Sequence, residues 1–273
     1  MKRIKMGYSG DIFHDVKQNT ILKQYSIRED INYLEDYSAK FLFDNEIAIV
    51  KKLNEIKNPH VQVPKIISIN IQKLSWKQQY FENIPFYSYL RKNANKTYFN
   101  PQLLTIFYNF GVYLGTLHEK NFISNKSKKN PTSSLPKSIL HGDLSSHNVS
   151  FLRKKNALFI YDPGVSNESV YDDICKFISN LILLNPLLKV ILSRKKINLL
   201  IIEFLRGYRK NISKFSIPTQ TLKRELIKKL EKDSHIISQS FMYRTIKKVL
   251  DSENKRVVNA IKRGDYDEIF KNQ

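Results

Sequence analysis

Leu140-His141-Gly142-Asp143-Leu144-Ser145-Ser146-His147-Asn148 and Ile160-Tyr161-Asp162-Pro163-Gly164 carry side chains whose types and spacing fit phosphoryl transfer from a nucleotide. Asp143 and Asn148 stand in the spacing His-x-Asp-x-x-x-x-Asn, and Asp162 follows the apolar run Ala157-Leu158-Phe159-Ile160. Such a transfer needs little covalent help from a protein. It needs a carboxylate beside the acceptor hydroxyl and oxygen ligands that hold Mg2+ against the phosphates. Asp143 is therefore the catalytic candidate, accepting or orienting the hydroxyl proton, and Asn148 and Asp162 are the metal candidates. A plainer reading makes Asp143 a helix cap, Asn148 a turn residue and Asp162-Pro163-Gly164 an ordinary β-turn. The joint requirement for an Asn at fixed offset, an apolar strand and an Asp before a small turn outweighs it. His147 is read as a packing or hydrogen-bonding residue, since the pattern places no demand on it.

With these residues the chain resembles the aminoglycoside phosphotransferase and choline kinase group of kinase-like enzymes, whose catalytic loop reads His-Gly-Asp-x-x-x-x-Asn. Leu114-Gly115-Thr116-Leu117-His118 is similar to the group's small-residue helix ending in Leu-His, and Asp173-Ile174-Cys175 to its Asp-Leu-Ala segment. The resemblance implies a bilobal, α+β protein kinase-like fold with a small strand-rich N-lobe and a larger helical C-lobe. It also implies ATP and Mg2+ as cofactors. It makes Asp173 a buried scaffold carboxylate that braces the catalytic loop, with Asp172 as the competing candidate. The chain departs from the group at Asp162-Pro163-Gly164, where Pro fixes φ and deletes a donor. No regulatory flip of that segment is expected.

Further elements must position these groups. Lys5 to Phe13 fits two short strands joined by a turn with Gly at both ends, so Gly7, Ser9 and Gly10 are candidates to cradle phosphates, although such a hairpin is also a plain turn. Thr20 to Tyr25 is strand-like with Lys23 at its centre, a candidate phosphate clamp. Phe41 to Leu53 is helical, and Glu46 lies at the edge of its apolar stripe, within reach of Lys23. The alternatives are a solvated Lys23 and a surface Glu46, with Asp44 the neighbouring acid. Residues 80 to 84 correspond by the resemblance to the hinge between lobes, so Tyr80, Phe81 and Glu82 are the adenine-binding candidates through main-chain groups. Residues 1–83 are expected to form the N-terminal lobe and residues 84–273 the C-terminal one. Helices are expected over Phe86 to Lys92, Pro101 to Lys120, Asp172 to Leu184, Leu187 to Ser193, Lys196 to Lys210, Gln220 to Leu230 and His235 to Leu250, then a charged tail. Residues 125–136 read as an exposed loop, and residues 195–250 as the acceptor-recognising region by analogy with the group.

A chain of 273 residues is long enough for two packed lobes. Its one cysteine, Cys175, excludes an internal disulfide, fits a cytoplasmic location and sits on an apolar helix as a packing residue. No apolar core for a signal peptide follows the basic N-terminus, and Leu181 to Leu192, broken by Asn185, Pro186 and Lys189, is too short to span a bilayer. The net charge of +21 invites a nucleic-acid or membrane partner. Lys outnumbers Arg 35 to 11 and is spread over helices with no aromatic-interleaved basic motif, so no nucleic acid is expected; peripheral contact with an anionic surface stays open. The expected activity is an ATP-dependent phosphotransferase acting on a hydroxyl of a small molecule such as a sugar, amino alcohol or aminoglycoside-like acceptor. A non-catalytic or protein-directed nucleotide-binding relative is the alternative. Only ten residues separate Asp162 from Asp173, too few for a peptide platform, which favours the small acceptor.

Overall fold

The computed structural model describes residues 2–7, 10–26, 38–94, 101–123, 135–145, 147–165, 169–188, 194–239 and 247–271. Ser9 and most of the loop expected at 125–136 lie outside them. The chain begins with strands β1 (Lys2–Gly7), β2 (Gly10–Asp15) and β3 (Thr20–Tyr25). Helix α1 (Ala39–Asn54) follows, then β4 (Val61–Gln62), β5 (Ile66–Asn70), β6 (Ser75–Gln79) and β7 (Ile84–Pro85). Helices α2 (Phe86–Ala94) and α3 (Pro101–Lys120) lead to the hairpin β8 (Val149–Leu152) and β9 (Ala157–Ile160). Helices α4 (Val170–Leu188), α5 (Arg194–Lys210), α6 (Thr219–Gln239), α7 (Lys247–Lys262) and α8 (Glu268–Lys271) complete it.

Two lobes result. The first is an antiparallel sheet in the order β1-β2-β3-β6-β5. Helix α1 starts where the Ser38 hydroxyl accepts from Phe41 N, and its Phe43, Ile47 and Val50 pack with Tyr25 and Trp76 as a small core. Side chains two apart on a strand share a face, so Ile21 and Lys23 of β3 point the same way. The second lobe holds the sheet β4-β9-β8-β7, with β4 parallel to β9. All four residues of β8 and of β9 are buried; β9 is an unbroken apolar run, and β8 carries one buried polar side chain, Ser150. Ile49, Leu53, Val61 and Val63 join its core, so α1 contributes to both lobes.

Helices α3 and α5 cross in close contact because glycine occupies the crossing. A Cβ on Gly111 would lie 1.9 Å from Phe204 O, one on Gly115 2.4 Å from Tyr208 O, and one on Gly207 2.0 Å from Tyr108 O. Two expectations are corrected. Helix α4 runs through Asn185-Pro186 to Leu188 instead of breaking, because the proline lies two residues from the end and deletes one bond there. The charged tail is two helices, α7 and α8, whose Val257, Val258, Ile261, Ile269 and Phe270 enter the large core. Helical spacing of those residues outweighs the charge around them. Among the described residues no helix is long and apolar enough to cross a membrane.

Candidate active site

Five of the candidate residues form one connected chain of polar contacts between the lobes. Lys23, from β3, reaches Glu46 of α1 at 2.5 Å and also bonds Asp162 Oδ1. Asn148 Nδ2, at the start of β8, donates to Asp143 Oδ2 at 2.7 Å and reaches Asp143 O at 3.1 Å and Asp162 O at 3.3 Å. Lys23 is 5% and Glu46 4% exposed, so the helix acid lies inside the buried stripe rather than at its edge. Burial works against the Lys23 charge, but the Asp162 and Glu46 carboxylates raise its pKa above the ordinary lysine value. One lysine cannot neutralise two carboxylates. Burial, opposed by Lys23 and helped by Asp162, pushes Glu46 up to about 7.

The turn after β9 is held against the catalytic loop. Asp162 has φ 58, a left-handed conformation that aspartate tolerates better than most residues. Pro163 behind it is buried. Gly164 N donates to His141 O at 2.9 Å, and Asn45 of α1 donates to Gly164 O at 3.3 Å. A Cβ on Gly164 would stand 3.1 Å from Asp143 Cβ and 3.2 Å from Gly142 C, so glycine permits the two loops to touch.

Beneath the catalytic loop, Asp173 of α4 accepts from His141 N at 2.7 Å, Gly142 N at 2.8 Å and His118 Nε2 at 3.2 Å. Asp172 instead takes Ser169 N at 2.8 Å as a helix cap, which decides between the two acids. His118 Nδ1 meets the Tyr208 hydroxyl at 2.7 Å, so the α3–α5 crossing delivers a buried chain from Tyr208 through His118 to Asp173. Burial opposes the Asp173 charge, but the hydrogen bonds from His118 and the loop hold its pKa below the usual carboxylate range. His141 is fully buried, and that burial lowers its pKa. His147 is exposed, contrary to a packing role; its carbonyl accepts from the Tyr161 hydroxyl at 2.7 Å.

A cleft opens above Lys23 and Asp162, lined also by Ile12, Ile21, Gln78, Tyr80, Phe81 and Tyr161, with Phe159 on the β9 side. Tyr80 and Phe81 line it, but Tyr80 N already donates to Asn19 O at 3.0 Å. Glu82 is exposed and does not line the cleft. Gly7 and Gly10 face each other across the β1–β2 pair, outside the cleft lining. Gly10 has a reason of its own to lack a side chain, since a Cβ there would lie 2.0 Å from Gln24 O. Sequence reasoning missed Ile12, Ile21, Phe159 and Tyr161 as lining residues. The period-two alternation that puts Ile21 beside Lys23, and Phe159 beside Tyr161, was the available signal.

Among the described residues no group of three or more His, Cys, Asp or Glu could hold a metal ion. The donors present, one carboxylate and one amide oxygen, fit Mg2+, which takes one or two protein ligands and completes its shell with phosphates and water. The carboxylate excess around Lys23 fits a cation as well.

No protein-family model matches the chain. It is 26% identical over 120 residues to the EKC/KEOPS complex subunit bud32 of Dictyostelium discoideum, a match that covers 44% of this chain and 41% of that protein. The chain thus spans about two fifths of the length of the curated relative it matches. Amicoumacin kinase hAmiN, solved in complex with AMP-PNP, Ca2+ and Ami, is similar with a TM-score of 0.57 and 14% identity, covering 95% of this chain and 87% of that one. The PknI kinase domain of Mycobacterium tuberculosis gives a TM-score of 0.42 and 10% identity over 66% of this chain and 70% of that one. The chain has the bilobal, α+β protein-kinase-like fold.

Proposed function

We propose that this chain is an ATP-dependent phosphotransferase that moves the γ-phosphoryl group to a hydroxyl of a small molecule such as a sugar, amino alcohol or aminoglycoside-like acceptor. The observation that carries the reading is the unbroken polar chain Glu46–Lys23–Asp162–Asn148–Asp143 at the mouth of a cleft between two lobes. Lys23, fixed by Glu46, presents its ammonium to the nucleotide phosphates. Asn148 and Asp162 would hold Mg2+, which supplies charge neutralisation and orientation to the phosphate oxygens. Asp143 takes the acceptor hydroxyl proton or orients it, and Asn148 aims that carboxylate. Main-chain groups of Tyr80 and Phe81, which line the cleft, are the proposed adenine contacts. Gly7, Ser9 and Gly10 are the proposed phosphate-cradling residues, Gly7 and Gly10 being paired across β1 and β2, and residues 1–83 and 84–273 are the proposed lobes. The single, buried Cys175 suits a cytoplasmic protein.

A protein-directed or non-catalytic role is the second reading, favoured by the name of the relative as a subunit of a complex. Purified chain incubated with MgATP and a panel of sugars, amino alcohols and aminoglycosides separates the two. ADP release that depends on one acceptor class supports the first. Nucleotide binding with a flat response over the panel supports the second.

A further inference from the structure

The solvent-facing line of α4 contains a cation that the roles above leave unused. From Val170 to Ile182 the helix is buried except at Asp172, Lys176 and Asn180, which are spaced four apart and so share one face. That face borders the catalytic loop, where Lys176 Nζ stands 3.7 Å from Asp143 Oδ1 with 27% of the side chain exposed. This separation is an ion pair without a hydrogen bond. Among the described residues the Lys176 ammonium makes an ion pair with Asp143 but donates a hydrogen bond to no protein acceptor, so its hydrogen-bonding capacity is open beside the catalytic carboxylate. Asp172, the acid on the same line, is committed through Oδ2 to Ser169 N. Any hydroxyl seated on Asp143 therefore lies within a few ångströms of a positive charge tethered to a rigid helix.

We propose that Lys176 selects the acceptor by charge: it binds an anionic group, a carboxylate or phosphate, carried next to the reactive hydroxyl, and it repels cationic acceptors. The inference rests on the phosphotransferase reading and narrows its acceptor class. An ammonium with open hydrogen-bonding capacity gains a charge-assisted bond from a carboxylate on the substrate. An amine in the same place meets a like charge in a partly desolvated mouth and leaves Lys176 unsatisfied, so discrimination comes from repulsion as well as attraction.

The test uses acceptor triples built on one scaffold, such as glucose, glucuronate and glucosamine, chosen around whichever acceptors the panel shows to be turned over. The intact chain should prefer the carboxylate to the neutral sugar and the neutral sugar to the amine. Lys176→Gln should shrink the carboxylate-to-amine ratio of kcat/KM about tenfold, the size of one charge-assisted hydrogen bond, and do so through the acceptor KM. Lys176→Arg should keep the preference, which shows that a fold of the Gln variant too poor to work is not the cause. Turnover with a preference for the amine, or a ratio that Lys176→Gln leaves unchanged, overturns the charge selection alone. Absence of turnover with every member of the panel, extended to uronates and sugar phosphates, overturns the phosphotransferase reading and this inference with it.

Discussion

Two buried carboxylate clusters lie on either side of the catalytic loop and are built on opposite principles. Around Asp173 both carboxylate oxygens have protein donors: two backbone N–H groups of the loop and His118, itself tied to Tyr208. Around Lys23 one ammonium serves two carboxylates, and the pKa of Glu46 is pushed up to about 7 by burial. The first cluster is complete without a ligand and holds shape. The second has an excess of negative charge that a bound cation relieves. Loss of a group from the saturated cluster should therefore appear as lost stability, and loss from the unsaturated one as lost binding or turnover.

The largest effect sharpens this contrast at the chemistry itself. Asp143→Asn should lower kcat roughly a thousandfold with the acceptor that the panel identifies, since a positioned general base contributes about 10²–10⁴. Its urea midpoint should stay near that of the parent, because the side chain is 39% exposed. Next comes Asp173→Ala, which leaves two loop N–H groups and His118 without their acceptor and should cost about 3–5 kcal/mol in equilibrium unfolding. Because the Asp173 pKa is held down by folding, the parent keeps this contribution above the ordinary carboxylate range and loses it as pH falls, while the variant has none to lose.

Glu46→Gln probes the other cluster. Folding raises the Glu46 pKa from 4.5 to about 7, so between those values the folded chain holds the extra proton and parent stability falls as pH rises. Glutamine cannot ionise. The stability difference between parent and Glu46→Gln should therefore shift against the parent from pH 4.5 to 7 and level off above, as read by chemical denaturation at a series of pH values. A flat difference across that window would place Glu46 in an environment that does not resist its charge. The smallest effect belongs to Tyr208→Phe, which removes one hydrogen bond to His118 and should cost about 1 kcal/mol in the same assay. A loss as large as that of Asp173→Ala would mean that the chain from Tyr208 to the loop acts as a unit.

Much of the candidate site was legible because its parts are local in sequence. Asp143, Asn148 and Asp162 belong to one loop and the hairpin that follows it, where strand pairing alone brings them together. Lys23 and Glu46 needed only the strand period and the helix period to be placed on facing sides. Lys176 was not singled out because its role depends on which face of α4 meets the loop, a property of packing between distant segments; the strand period grouped Phe159 with Tyr161 but did not say that their face meets the cleft. The same holds for α7 and α8, whose few apolar residues are diluted by charge until the core they enter is known. Pro186 misled because its effect depends on how much helix remains beyond it.

The central claim is that the unsaturated cluster binds a nucleotide together with a divalent cation. Calorimetric titration of a non-hydrolysable ATP analogue, with Mg2+ and then with EDTA, tests it most directly in the parent chain and in Asp162→Ala. The parent should bind with Mg2+ and weaken about tenfold or more in EDTA, and Asp162→Ala should lose that difference. Equal binding by the parent with and without Mg2+, or no binding at all, would contradict the claim.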